Sequence, residues 1–208
     1  MTQTLYAYWN DVRRDRIAPQ RLEIQPAQLG EMLPNTFILE RSDGRTFRFR
    51  LAGTRICTRF GMELRGLNFL DRWTTGDRSM LEHHLAGITE LGRVGVFTAD
   101  VGFESGRTAS VEIVVLPLVH TGAAIDRLLC AMSVLEGGEW PANEAITSLR
   151  LLSAEVVWPD GRPHAIADQI NNQSPLSPQV RMGRIVRQDR RQFRVYDGGL
   201  AKDERGKV

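Results

Sequence analysis

FRFRLAGTRICTRFGMELRGLNFLDRW, residues Phe47 to Trp73, changes its hydrophobic period partway along, and that change decides how the chain is read. Phe47, Phe49 and Leu51 alternate with Arg48 and Arg50, the period of two of a strand with one buried face. Ala52, Ile56 and Phe60 then recur at every fourth residue, so the register becomes helical. Gly61 stands where a helix C-terminus commonly needs a left-handed residue. Gly66 permits a second tight bend before Leu67, Phe69, Leu70 and Trp73. The stretch therefore joins a strand, a short helix and a glycine-punctuated connection that ends in aromatic residues.

On the N-terminal side, Ser42-Asp43-Gly44 supplies turn residues between an apolar run at Thr36 to Glu40 and the Phe47 strand, which predicts a hairpin. Pro19 to Pro34 reads as irregular, with a short helix beginning after Pro26. Leu5, Tyr8, Trp9 and Val12 fall at i, i+3, i+4 and i+7 of a helix that must end before Pro19. Its apolar face needs burial against the chain's own sheet or against the same helix of a second subunit. On the C-terminal side, Met80, Leu81, His84, Leu85 and Ile88 predict a helix over Asp77 to Leu91, with Gly92 as its stop. Three β-rich stretches follow at Gly95 to Phe103, Thr108 to Leu118 and Arg127 to Leu135; Asn143 to Leu152 reads as helical and Ala154 to Trp158 as extended. The expectation is an α+β fold: a five-stranded antiparallel sheet with helices on one face, an N-terminal helix and a C-terminal extension. Its divisions are residues 1–18, 19–158 and 159–208.

The order of these elements resembles PAS domains, in which a helix ending Phe-Gly is followed by a polar pair and then G-x-x-F-L-D, here Gly66 to Asp71. More closely, the chain resembles a family of standalone PAS-like regulatory proteins of alphaproteobacteria. Tyr8-Trp9, Ile24 to Pro34, Val114 to Leu118 as VVLPL, Asp126-Arg127 and Val195 to Gly199 as VYDGG carry that likeness across most of the chain. The resemblance implies a cytoplasmic regulator of motility or cell-cycle output.

With 208 residues, 42% hydrophobic and 25% charged, the chain can build one good core with extensions. The longest apolar run, Val111 to Val119, is broken by Pro117 and falls short of the roughly 20 residues that span a bilayer. The N-terminus shows no signal-peptide pattern, so the expected location is the cytoplasm. Cys57 and Cys130 lack metal or redox spacing and read as reduced core thiols. Residues 159–208 hold ten basic and six acidic residues and the remainder 17 and 19, which places the positive charge in the tail. Gly161, Pro163, Asn171, Asn172, Pro175 and Pro178 read as a linker leading into that tail.

Catalytic signatures find no match: there is no nucleophile elbow, HExxH, phosphate loop or EF-hand pattern, and the expectation is not an enzyme. Gly137-Gly138-Glu139-Trp140 shares its opening with the turn of diguanylate cyclases but departs from it afterwards. No cofactor is expected. Flavin photosensing domains carry a reactive cysteine where this chain has Phe69, and of the adjacent His83 and His84 only His84 follows the apolar stripe on which a haem ligand would lie. Phe60, Phe69, Trp73 and Met132, with Val114, are candidates to line a ligand pocket, where Arg50 or Arg55 would meet an anionic group. Arg181, Arg184, Arg187, Arg191 and Arg194 form a candidate anion-binding stripe. A near-neutral chain without a helix-turn-helix pattern argues against DNA. The leading expectation is a regulator or adaptor that binds signalling proteins in trans and forms a homodimer through Leu5, Tyr8, Trp9 and Val12. The alternative is a sensor of an anionic metabolite or nucleotide, held in the core or at the arginine-rich tail.

Overall fold

Thr36–Arg41 (β1), Phe47–Ala52 (β2), Val94–Phe103 (β3), Thr108–Val119 (β4), Ile125–Val134 (β5) and Ile146–Val157 (β6) form one sheet in the spatial order β2-β1-β5-β4-β3-β6. Every neighbouring pair is antiparallel. These strands belong to a computed structural model that describes residues 1–135, 140–141 and 144–161, all within one compact unit. The β1–β2 hairpin closes through Asp43, whose Oδ1 accepts the Arg45 and Thr46 N–H groups at 2.8 and 2.7 Å.

One strand more is present than the sequence predicts. The stretch expected to be helical up to Leu152 is the first half of β6, paired along its length with β3. Two register shifts, at Thr98/Ala99 and Gly102/Phe103, explain the misreading. A bulge inserts one residue, so inward-facing positions separated by it lie three apart instead of two. Ile146, Leu149, Leu151, Ala154 and Val156 all face the same core. Their uneven spacing imitates a helix.

The helices between β2 and β3 cover one face of the sheet, and the N-terminal segment covers the other. On the first face lie Thr54–Phe60 (α3), the 3₁₀ turn Phe69–Arg72 and Thr75–Leu91 (α4), over a core that includes Phe37, Phe49, Phe97, Val111 and Leu128. α3 ends where the sequence indicates, at Gly61 in the left-handed conformation with φ 64°. On the second face lie Thr2–Arg13 (α1), Pro26–Leu29 (α2) and the 3₁₀ turns Arg21–Glu23 and Gly30–Asn35. A separate core there gathers Leu5, Trp9, Ile24, Leu29, Ile38, Val114, Leu116 and Leu129.

The N-terminal cover is hydrogen-bonded as well as packed. The pairing of β3 with β4 begins at Gly95 opposite Val115, so the end of β4 runs on without that neighbour. Trp9 donates its Nε1–H to the Pro117 carbonyl at 2.8 Å, and the Val119 N–H donates to the Pro19 carbonyl at 3.0 Å. Arg13, itself buried, pairs with Asp160, and the Tyr6 hydroxyl donates to the Pro159 carbonyl at 3.0 Å. α1 is thereby tied to the end of β6. Among the described residues, no helix is long and apolar enough to cross a membrane.

Candidate functional site

The pocket expected from sequence is a packed core. Phe60, Phe69, Trp73 and Met132 are all buried in the first-face cluster. Phe37, Phe49, Phe69 and Trp73 stack in tilted and edge-on contacts, with centroids 5.4 Å apart for Phe37–Phe49, 5.7 Å for Phe49–Phe69 and 5.6 Å for Phe69–Trp73. Such pairs add about 0.5–1.5 kcal/mol each beyond their area burial. They occupy the space between sheet and helices where a flat cofactor would have to lie, so these residues do not fit one. The remaining pocket candidates are elsewhere. Val114 belongs to the second-face core, Arg50 is exposed and pairs with Glu40 at 3.0 Å, and Arg55 is exposed on α3. The structure thus separates the two arginines from the aromatic set.

His84 is half-buried on α4, with its ring 6.1 Å from Phe97 and 5.9 Å from His83. Burial, and then the charge of His83, hold its pKa below the ordinary histidine value. Both cysteines are free; Cys130 is fully buried, and that burial pushes its thiol pKa well up. Of the four dimer candidates, Leu5 and Trp9 are fully buried beneath the chain's own sheet, whereas Tyr8 and Val12 are half-buried. A charged residue at position 9 therefore probes the fold before it probes self-association. The arginines of the tail, Arg181 to Arg194, lie outside the described residues.

The feature that sequence reasoning missed is an apolar groove of about 390 Å³ at the seam between the N-terminal cover and the β1–β2 edge. Ile24, Leu29, Leu33, Pro34, Ile38 and Leu51 line it, with Arg21 at its rim. Leu33 and Leu51 are 41% and 52% exposed, and Leu22, on the same turn as Arg21, is 83% exposed. Alternation with Phe47 and Phe49 placed Leu51 inside the first core. A register shift between Ile38 and Leu39 corrects this: Phe49 pairs with Leu39 but Leu51 with Ile38, so the bulge turns Leu51 to the second face. The only sequence signal was the run of apolar residues around Pro26 and Pro34 with no periodic partner.

An antiparallel sheet with these helices and connections has the architecture of the PAS type. The profile of the PAS domain family matches residues 1–133, and the chain belongs to that family. Among solved structures, it is similar to a LOV protein of Rhodobacter sphaeroides at 13% identity and a TM-score of 0.41, covering 49% of this chain and 59% of that one. It thus spans less than two thirds of that protein. A PAS domain of an HTR-like protein from Haloarcula marismortui is similar at 20% identity and a TM-score of 0.39, covering 55% of this chain and 95% of that one. No curated protein sequence matches the chain.

Proposed function

We propose that the chain is a regulatory PAS protein, of the standalone alphaproteobacterial kind it resembles, which works by binding another signalling protein in trans through the groove at the β1–β2 edge. The carrying observation is where apolar surface is closed and where it is open. The sensor core is filled by its own rings, while Leu33 and Leu51 stand exposed around a concave apolar floor. Exposed apolar surface gathered in a concave patch favours a partner. Arg21 at the rim has no carboxylate partner among the described residues. The occupant that fits is an apolar segment flanked by acidic residues, with the arginine meeting the flank. Motility or cell-cycle signalling is the setting that the resemblance suggests.

The test places a photo-crosslinking residue at position 51 of the full chain in its host, with a second probe at Leu152, which is 47% exposed on β6, as the control. The expected result is an adduct at 51 and not at 152. It should be lost with Leu33→Asp and weakened severalfold with Arg21→Glu, and its peptide should be apolar with acidic neighbours. Equal labelling at both positions, or an adduct indifferent to Leu33→Asp, would sink the proposal. A second copy of this chain as the adduct would replace it with self-association.

A further inference from the structure

Arg59, on the last turn of α3, is half-buried, and its guanidinium lies 4.9 Å from the centroid of the Trp140 ring. Its one hydrogen bond among the described residues is donated to the Met132 carbonyl at 3.3 Å. Arg55 sits one turn earlier on the same helix, exposed and without a described partner. Burial, and then the charge of Arg55, pull the Arg59 pKa below the ordinary arginine value. The group nevertheless remains a cation. No described carboxylate forms an ion pair with either residue. Glu144 lines the same cleft as the two arginines, and its Oε2 accepts the Ser105 N–H at 3.2 Å.

A partly buried cation with no ion pair among the described residues is unfavourable, and two like charges on one helical turn add to the deficit. The indole face compensates in part by attracting the guanidinium, but it covers the face of the group and leaves donors at its edge. Those donors belong to a cleft of about 520 Å³, whose lining includes Arg55, Thr58, Arg59, Trp140, Glu144 and Ala145. Gly61 permits the close approach of its two walls, because a Cβ there would stand 2.8 Å from the Ala145 Cβ.

We infer that this cleft binds a small oxyanion, a carboxylate or a phosphate, with Arg59 and Arg55 as its ligands and Trp140 as the plate that orients Arg59. Arginine edges match the geometry of both anions, and the cleft is large enough for an ion that carries an organic group. The site stands independently of the docking groove: it is built from α3 and the segment before β6, and shares none of the groove's lining residues.

Isothermal titration of the full chain at constant ionic strength tests it, with inorganic phosphate and acetate as separate probes and chloride as the balancing ion. Saturable binding of at least one probe is expected. Arg55→Gln, at an exposed position, should weaken it severalfold; Arg59→Gln by about tenfold or more, the loss of roughly 1.4 kcal/mol; Arg65→Gln, exposed and outside the cleft, not at all. Binding of phosphate alone or acetate alone assigns the class of ligand. The inference is overturned if neither probe binds more tightly than about 10 mM, a free energy below 3 kcal/mol, or if Arg55→Gln binds as the wild type does. Far-ultraviolet circular dichroism separates loss of binding from loss of fold in the Arg59 variant.

Discussion

At the scale of single residues, Gly53 shows how packing constrains a position that the backbone does not. It precedes α3 with φ −66°, which any residue adopts, yet a Cβ there would stand 2.4 Å from the Pro34 carbonyl oxygen and 2.5 Å from that of Leu33. Backbone atoms cannot rotate aside. Gly53→Ala should therefore lower stability by about 1–3 kcal/mol, the range for overpacking, read as a fall in the urea midpoint, while Gly44→Ala, in open space, should leave it unchanged. His84 supplies a pH prediction. Because burial and His83 depress its folded pKa, both states are neutral above the unfolded value of about 6.5, and nothing is lost there. As pH falls below that value the unfolded chain takes up the proton first, and stability declines until the folded pKa is passed. Between pH 7.5 and 5.5 the wild type should lose more stability than His84→Gln; equal losses would show that the imidazole does not contribute. Leu51 marks the limit of legibility at this scale, since its alternation with Phe47 and Phe49 was plain and the bulge that reverses it was not.

At the scale of elements, α1 closes the second face. Trp9 is fully buried, donates to Pro117 and lies beneath the Arg13 guanidinium, 5.3 Å from its ring centroid. Trp9→Ala should cost about 3–5 kcal/mol and increase binding of a hydrophobic dye as the sheet face opens. An unchanged melting temperature would mean that α1 is not docked as described. The helix itself was legible, because a stripe at i, i+3, i+4 and i+7 is a local property of the chain. What covers that stripe was not, since the sheet residues that meet it, Val114, Leu116 and Leu129, lie more than a hundred positions away. β6 failed for the converse reason: its bulges belong to the pairing with β3, and without the partner strand the spacing from Ile146 to Leu151 reads as helical.

At the scale of the whole molecule, one sheet separates two cores, and the candidate sites lie at the margins of both. The groove forms where the N-terminal cover stops short of β2; the oxyanion cleft forms where α3 meets the chain entering β6. Loss of crosslinking at position 51 and loss of oxyanion binding at Arg59 are therefore expected to be separable by mutation. The stretch from Phe47 to Trp73 determined the strand, the helix stop at Gly61 and the PAS-like order of elements, because period and left-handed glycine are written locally in the chain. Of the four stacked rings Phe37, Phe49, Phe69 and Trp73, it contained all but Phe37. Only the tertiary structure decided that those rings fill the space between sheet and helices, that Leu51 faces outward and that Arg59 rests on Trp140. Each of these depends on register or on contact between distant segments, and a one-dimensional pattern carries neither.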